Sequence, residues 1–315
     1  MTYHQPVLVD EVLHYLAELP AGPCCDATLG GGGHLRAWMA AAKGHDYWGI
    51  DRDMDAIAHG RANVMGAHLV HAHFGDLESV VAEHIGEPLA GLLLDIGVSS
   101  HQLDTAARGF SFQHGGPIDM RMDVSCGETA LNLISRLDVT ALARILAEFG
   151  EVPQARRVAV RIKQAHEKGK LGSTEDLAAL FPKNARQHRH PATQIFQALR
   201  IAVNDEMGEL DRVLNALPRL LRPGGRVGII TFHSLEDRRV KQAFRSLAHP
   251  CTCPPQLPRC ACGRVAEFDV LTRHGVSARE GELEQNPRSR TARLRVAQKK
   301  SMHAGPAPLQ GEGRP

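Results

Sequence analysis

Asp26, Thr28 and four consecutive glycines stand just ahead of His34 in the stretch Cys24-Cys25-Asp26-Ala27-Thr28-Leu29-Gly30-Gly31-Gly32-Gly33-His34. The small residues leading into Asp26 read as a strand, and Leu35 to Lys43 reads as a helix. A strand, a glycine turn and a helix start together suit a nucleotide-like ligand. Glycine lets the backbone approach closely, and the first N–H groups of a helix point outward at whatever sits there. The dinucleotide fingerprint G-x-G-x-x-G is not met, because its third glycine, counted from Gly30, falls at Leu35. The bland alternative is an ordinary glycine-rich turn.

Two further acids stand at the ends of apolar runs. Asp51 follows Asp46 to Ile50, where an acid at the end of a second strand can accept hydrogen bonds from ribose hydroxyls. Asp95 follows Leu92-Leu93-Leu94 and leads into Ile96-Gly97-Val98-Ser99-Ser100, the usual shape of a site at the carboxyl edge of a parallel sheet. Phe74, after a third strand His68 to His73, either covers an adenine face or packs into the core. Asp53 is read as the N-cap of the helix that follows. Beside these acids the first loop reads acid-x-Thr-x-Gly-x-Gly, a variant of the acid-x-Gly-x-Gly loop on which methyltransferases hold S-adenosylmethionine.

The elements that must position these groups alternate along the chain. An amphipathic helix over Asp10 to Leu19 precedes the glycine loop, and Met54 to Met65 has helical periodicity. This β-α-β-α-β-α-β order predicts a doubly wound α/β sheet with its loops on one edge. From about Leu103 to Asp205 no strand pattern occurs; helices are expected at Val139–Phe149, Gln154–Glu167, Thr174–Leu180 and Thr193–Asn204. The sheet resumes at Arg226 to Phe232, after the turn Arg222-Pro223-Gly224-Gly225, with closing strands at Phe268 to Leu271 and Ala292 to Ala297. The expected organisation is a core over 1–103 and 206–300, an inserted all-helical domain over 104–205, and a disordered tail over 301–315.

Composition bounds the rest. With 315 residues, 43% hydrophobic and 23% charged, the chain reads as an ordinary soluble protein with ample core. The N-terminus lacks signal-peptide form, no apolar run spans a bilayer, and seven cysteines is an odd number for a disulfide framework. A cytoplasmic location without membrane contact is expected. The net charge of +2 hides two basic runs, Arg156 to Lys170 and Arg288 to Lys300, each either a solvated face or a nucleic-acid footprint.

Taken together, the chain resembles the bacterial 16S ribosomal RNA cytosine-N4 methyltransferase family (RsmH, also called MraW). The resemblance runs from His4-Gln5-Pro6-Val7-Leu8 to Asn286-Pro287-Arg288-Ser289-Arg290. It includes the glycine loop, Leu94 to Ser100, Gln102-Leu103-Asp104 and Arg108-Gly109-Phe110-Ser111-Phe112. Asp119-Met120-Arg121-Met122-Asp123, Phe196 to Ile201 and Phe232-His233-Ser234-Leu235-Glu236-Asp237-Arg238 complete it. It departs at His101, where members often carry proline, and in the tail after Lys300. The resemblance implies a Rossmann-like class I S-adenosylmethionine-dependent core with a helical insertion that grips RNA. It implies a cytidine in the decoding region of 16S rRNA, in the small ribosomal subunit, as substrate. The cofactor contacts it implies are Gly32, Gly33 and His34 for the methionine moiety, Asp51 for the ribose, Phe74 for the adenine, and Asp95 and Gln102 near the reacting end.

The sulfonium methyl is already activated, so catalysis rests on placing a nucleophile in line with it. The cytosine N4 lone pair is delocalised into the ring, and an acceptor for an N4 hydrogen would free it. Asp95 is the first candidate, with His233 and Ser234 at the end of the fifth strand the second; His233 is otherwise a structural group. Asp119 and Asp123 are ligand or loop-ordering groups. Methylation at C5 would need a cysteine nucleophile, and Leu92 to Ser100 holds none, while Cys24 and Cys25 read as buried strand residues. Arg156 through Lys170, with Arg186, His188, Arg189 and His190, are candidate phosphate contacts.

Cys251, Cys253, Cys260 and Cys262 form C-x-C-x₆-C-x-C, enough thiolates for a structural zinc ion; free thiols are the alternative. Other readings of the whole chain are a non-catalytic RNA-binding assembly factor, or an N-methyltransferase acting on DNA or a small molecule. The Asn/Asp-Pro-Pro-aromatic string common after the fourth strand of DNA amino-methyltransferases is missing at Asp95-Ile96-Gly97-Val98. Monomer and homodimer both stay open.

Overall fold

The computed structural model describes residues 6–183, 190–254 and 261–301. Its seven strands are β1 (Cys24–Asp26), β2 (Tyr47–Asp51), β3 (His68–His71), β4 (Leu89–Asp95), β5 (Leu221–Thr231), β6 (Phe268–Val270) and β7 (Arg293–Lys299). They form one sheet in the order β3-β2-β1-β4-β5-β7-β6. The first five are parallel, and β7 runs antiparallel to both β5 and β6. Every residue of β4 from Leu89 to Leu94 is buried, as a strand covered on both faces requires. β1 lies between β2 and β4, so the order reverses there, and the loops after β1 and β4 open the crevice in which such sheets bind ligands.

Helices cover both faces. On one lie α1 (Val9–Leu16), α2 (Gly33–Ala41) and α3 (Met54–Asn63), burying Val12, Leu16, Leu35, Trp38 and Ile57. On the other, α4 (Leu77–Val80), α11 (Glu206–Leu220) and α12 (Ser234–Ala248) bury Leu77, Leu210, Leu217, Val240 and Phe244. The 222–225 turn predicted before the fifth strand is a bulge within it: Leu221 pairs with Leu89, and pairing resumes only at Arg226 opposite Gly91. Among the described residues, no helix is long and apolar enough to cross a membrane. His4 and Gln5, Arg186, His188 and Arg189, Cys260, and the tail after Ser301 lie outside the described residues.

Between β4 and β5 the chain is helical. α5 (Ser100–Asp104), α6 (Ala130–Arg136), α7 (Val139–Gly150), α8 (Ala155–Glu167), α9 (Thr174–Ala179) and α10 (Ala192–Val203) lead into α11; α13 (Glu280–Gln285) precedes β7. Leu133, Leu142, Leu146, Ile162, Leu177 and Leu199 belong to a second hydrophobic core apart from those of the sheet. The junction between the two parts is pinned by buried polar groups. Arg108 donates to the carbonyls of Arg121 and Met122 and pairs with Asp53 at 2.9 Å. Arg52 also reaches across, donating to Asn204 O at 2.9 Å, and the Asn204 amide in turn donates to Met120 O and accepts from Met122 N–H, each at 2.7 Å.

Gly109 shows how tightly the segment beside this junction is drawn. Its φ is +73°, and a Cβ would stand 2.2 Å from Pro117 O, a backbone atom that cannot swing away. Gly109→Ala is therefore expected to cost at least about 2 kcal/mol, from left-handed backbone strain plus overpacking. Chemical denaturation measures it; an unchanged midpoint would contradict the packing.

Candidate active site

The carboxyl ends of β1, β2, β4 and β5 surround one cleft enclosing about 1220 Å³, its open mouth included. Gly30, Gly31, Gly33 and His34 line it from the glycine loop, Asp51 and Phe74 from the next two strand ends, and Asp95 to Ser100 with Gln102 from the loop after β4. All but one of the residues implied as cofactor contacts thus meet at one place. The exception is Gly32, which is not part of the lining. It precedes α2 at φ +69°, and a Cβ there would lie 2.4 Å from Val64 Cγ2, so its glycine is required by the turn and by close packing.

Asp51, Asp53 and Gln102 are each held by named partners. Asp51 Oδ2 accepts from Gly30 N–H at 2.8 Å and Oδ1 from Asp53 N–H at 2.9 Å, and burial pushes its carboxyl above the ordinary range. One acid therefore fixes the glycine turn while lining the cleft. Asp53 caps α3 through Asp55 N–H, as its position suggested, and accepts from the Gln102 amide at 2.7 Å. Gln102 closes a capping box with Ser99 and has both ends of its amide engaged. Phe74 both lines the cleft and packs into the sheet core, 7% exposed, with the Arg52 guanidinium 5.8 Å from its ring centre.

Asp95 occupies an electrostatically unusual position. Its N–H donates to Thr28 Oγ1 at 2.6 Å, while its own Oδ1 is buried without a hydrogen-bond partner. Desolvation, helped by the negative charge of Glu236, pushes its pKa from 3.8 to about 7. His34 Nδ1 lies 3.6 Å from Asp95 Oδ2. The other nitrogen of His34 is 2.7 Å from Val7 O, and burial lowers its pKa, favouring the neutral ring with Nε2–H donating to that carbonyl. Nδ1 then presents a lone pair to Asp95, an arrangement at ease when Asp95 carries a proton.

His233 and Ser234 are not brought to the cleft. His233 is the N-cap of α12, its Nδ1 3.5 Å from Glu236 N and its Nε2 2.8 Å from Glu236 Oε1, out of line for a hydrogen bond. Ser234 is exposed, with its hydroxyl 3.4 Å from Glu151. The strand-end position that marked His233 belongs to a helix cap, and the lining residues there are Phe232 and Glu236. Glu236, 1% exposed, accepts from the N–H groups of Phe232 and His233. The only local signal for it is the spacing, since His-x-x-Glu ahead of a helical run has the Ser/Thr-x-x-Glu spacing of a capping box with histidine in the capping place. Glu236→Gln keeps an acceptor for those N–H groups but removes the charge facing Asp95. Any activity that titrates with Asp95 should then shift its midpoint to lower pH; an unmoved pH–rate profile would contradict the coupling.

Asp119 and Asp123 order their loop and do not line the cleft, whereas Met122 between them does. Asp119 forms a two-pronged pair with Arg121, and Asp123 accepts from Ser125 N–H and Oγ–H. The basic run after Arg288 is largely spent on the fold. Arg295 is 3% exposed and bound to Asp237, and Lys299 donates to the carbonyls of Pro218 and Leu221. Arg288 is different: it lines the cleft, pairs with Asp104, and keeps Nη1 buried without a partner, a donor free for an anionic group. On α8, by contrast, Arg156, Arg157 and Arg161 are exposed.

Cys24 and Cys25 are fully buried in β1, and burial pushes the Cys24 thiol up to about 12 and the Cys25 thiol well above its ordinary value. Neither supplies a thiolate at neutral pH. The sulfurs of Cys251, Cys253 and Cys262 lie within 4.8 Å of one another.

The residues of this cleft fit a nucleoside-bearing sulfonium cofactor. A Cβ on Gly30 would touch only Thr28 O, at 3.9 Å, so the loop leaves open space at the cleft wall. Asp51 and Phe74 stand at the second and third strand ends, and orphaned polar atoms on Asp95 and Arg288 point to a missing partner. A family model described as the MraW methylase family matches residues 1–300. The chain is similar to "Ribosomal RNA small subunit methyltransferase H" of Geotalea uraniireducens, with 47% identity over 94% of this chain and 98% of that one. The protein of the same description from Geobacter sulfurreducens is 47% identical over 95% and 100%, and that of Nitratidesulfovibrio vulgaris 44% over 94% and 95%. With the cleft, the sheet order and these relatives in agreement along nearly its whole length, the chain belongs to the MraW methylase family.

Proposed function

We propose that the protein transfers a methyl group from S-adenosylmethionine to N4 of a cytidine in the 16S RNA of the small ribosomal subunit, in the cytoplasm. Asp95 carries this reading: a carboxyl at the end of β4 in the ligand cleft, poised near neutrality, with an oxygen that nothing in the protein satisfies. The relatives' description as small-subunit ribosomal RNA methyltransferases supports the substrate class. The cofactor supplies a methyl group on positively charged sulfur, ready for in-line attack.

The protein's own residues do the rest. The loop Gly30 to Gly33, braced by Asp51, receives the cofactor; Asp51 also offers its carboxylate to the ribose hydroxyls, and Phe74 a face to the adenine. Asp95 would accept one N4–H as the nitrogen lone pair turns toward the methyl; the methyl–sulfur bond would break as the N–C bond forms, the sulfur leaving as a neutral thioether and the amine proton ending on Asp95. His34 Nδ1, 3.6 Å away, is placed to stabilise the protonated acid that results. Among the described residues none of those lining the cleft is a cysteine, so a C5 mechanism finds no thiolate at hand.

The helical part between β4 and β5, with its own core and the exposed arginines of α8, is read as the RNA-gripping unit over 104–205. A structural zinc ion on the Cys251–Cys262 segment is supported by three clustered sulfurs. Labelled S-adenosylmethionine offered with small subunits, naked 16S RNA and duplex DNA tests the acceptor. Label is expected in the RNA of the subunits. Label in DNA alone, or in none despite cofactor binding, would turn the reading to another methyl acceptor or to an assembly factor.

A further inference from the structure

His73, Asp123 and Cys126 bring an imidazole, a carboxylate and a thiol together beside the cleft but outside its lining. Their ligand atoms all lie within 4.8 Å of one another. Asp123 Oδ2 stands 3.7 Å from His73 Nε2 and 3.3 Å from Cys126 Sγ. A tetrahedral zinc ion with bonds of about 2.0–2.1 Å to nitrogen and oxygen and about 2.3 Å to sulfur holds such atoms about 3.3–3.6 Å apart. The two measured edges are already close to that spacing.

The imidazole is also oriented as a ligand is. His73 Nδ1 lies 2.7 Å from Glu209 Oε1, and Glu209 is 2% exposed and held in turn by Arg52 at 3.0 Å. With Nδ1–H donating to that carboxylate, the lone pair of Nε2 faces Asp123. A carboxylate behind the far nitrogen is the arrangement that fixes metal-binding histidines. Glu209 Oε2 is buried without a partner, and Cys126 is exposed, so its thiol is open to exchange a proton for an ion.

We propose that His73 Nε2, Asp123 Oδ2 and Cys126 Sγ bind one zinc-like divalent ion. The fourth position falls to water, since His71 Nε2, 3.8 Å from the same Asp123 oxygen, is 2.9 Å from the Arg52 carbonyl and is held there as a donor. On binding, the Cys126 S–H proton leaves to solvent and the thiolate takes its place on the metal. The ion would join two parts of the chain. His73 follows β3 in the sheet domain, while Asp123 and Cys126 lie on the segment between β4 and α6. The neighbours Phe74 and Met122 both line the cleft, so the clasp would stiffen its wall from behind.

Cobalt(II) reads the site optically. Full-length, metal-stripped protein with Cys251, Cys253, Cys260 and Cys262 changed to serine is titrated with cobalt(II), then zinc(II). One equivalent of cobalt is expected to bind with intense tetrahedral absorption and a thiolate charge-transfer band, and zinc should displace it. Cys126→Ser should abolish that band, and Glu209→Gln, which touches no metal, should weaken binding about tenfold or more. Should the four-serine protein fail to fold, the natural chain and Cys126→Ser alone are compared, where the expected difference is one equivalent. No cobalt bound beyond the Cys126→Ser level, or a charge-transfer band that survives that change, overturns the proposal and leaves a thiol–carboxylate hydrogen bond in its place.

Discussion

Asp95→Asn should slow single-turnover methyl transfer by about 10²- to 10⁴-fold, the usual contribution of a positioned general base, while leaving cofactor affinity within tenfold. The amide matches the carboxylate in shape but accepts no proton. Because the Asp95 pKa is raised to about 7, the natural enzyme should gain rate as pH rises through 7 and the acid ionises, and the residual activity of the variant should lack that limb. The same raised pKa carries a stability signature of opposite sign. A carboxyl whose pKa is higher folded than unfolded contributes stability that is complete below about pH 4 and lost as pH rises to 7. The asparagine variant has no such loss. Relative to the natural chain it should gain about 2–4 kcal/mol between pH 4 and pH 8, the upper figure corresponding to the whole rise from the ordinary carboxyl value. Denaturation at both pH values, beside rapid-quench transfer assays, measures the pair. A variant that is neither slower nor relatively more stable at pH 8 would remove Asp95 from its role.

Asp51→Ala should weaken S-adenosylmethionine binding about 100-fold, equivalent to roughly 2.7 kcal/mol. Two losses add: the ribose acceptor, and the brace on Gly30 N–H and Asp53 N–H that keeps the glycine turn in shape. Leaving those N–H groups unpaired also costs about 1–3 kcal/mol of fold stability. Asp51→Asn retains one acceptor oxygen and should fall between the two in calorimetric titration. Equal affinity for all three proteins would place the cofactor elsewhere.

What could be read from the chain followed from how local its causes are. The four insert helices expected from periodicity appear within two residues of their predicted ends, because an apolar stripe and a cap such as Ser173 with Asp176 are encoded side by side. The strands of the sheet were legible for the same reason: β4 is a continuous apolar run. α11 and α12 were not anticipated. α11 contains Pro218, and α12 carries Glu236, Asp237, Arg238 and Arg239 in its first turns, so both depend on the sheet face they cover.

The site divided along the same line. Asp51 and Asp95 end their strands and Phe74 opens the turn just after the third, where sheet topology collects them. His233 sits at a strand end too, yet the turn directs its ring to cap α12 and leaves Glu236 facing Asp95. Gly32 stood in the right loop, but its φ of +69° and the nearness of Val64 give its glycine a packing reason. Which residue of a loop faces the ligand depends on dihedral angles and on neighbours more than 30 positions away, and neither is written in the spacing. The His73, Asp123 and Cys126 cluster was invisible for that reason, since the chain separates His73 from its partners by about fifty residues.

The chemistry proposed for the cleft stands or falls on cytosine N4 as the atom methylated. Small subunits from cells lacking this activity are treated with the purified protein and labelled S-adenosylmethionine, and their RNA is digested to nucleosides. Label is expected in N4-methylcytidine, lost with Asp95→Asn in a protein that still binds cofactor. Label in 5-methylcytidine or in a nucleoside other than cytidine would contradict it.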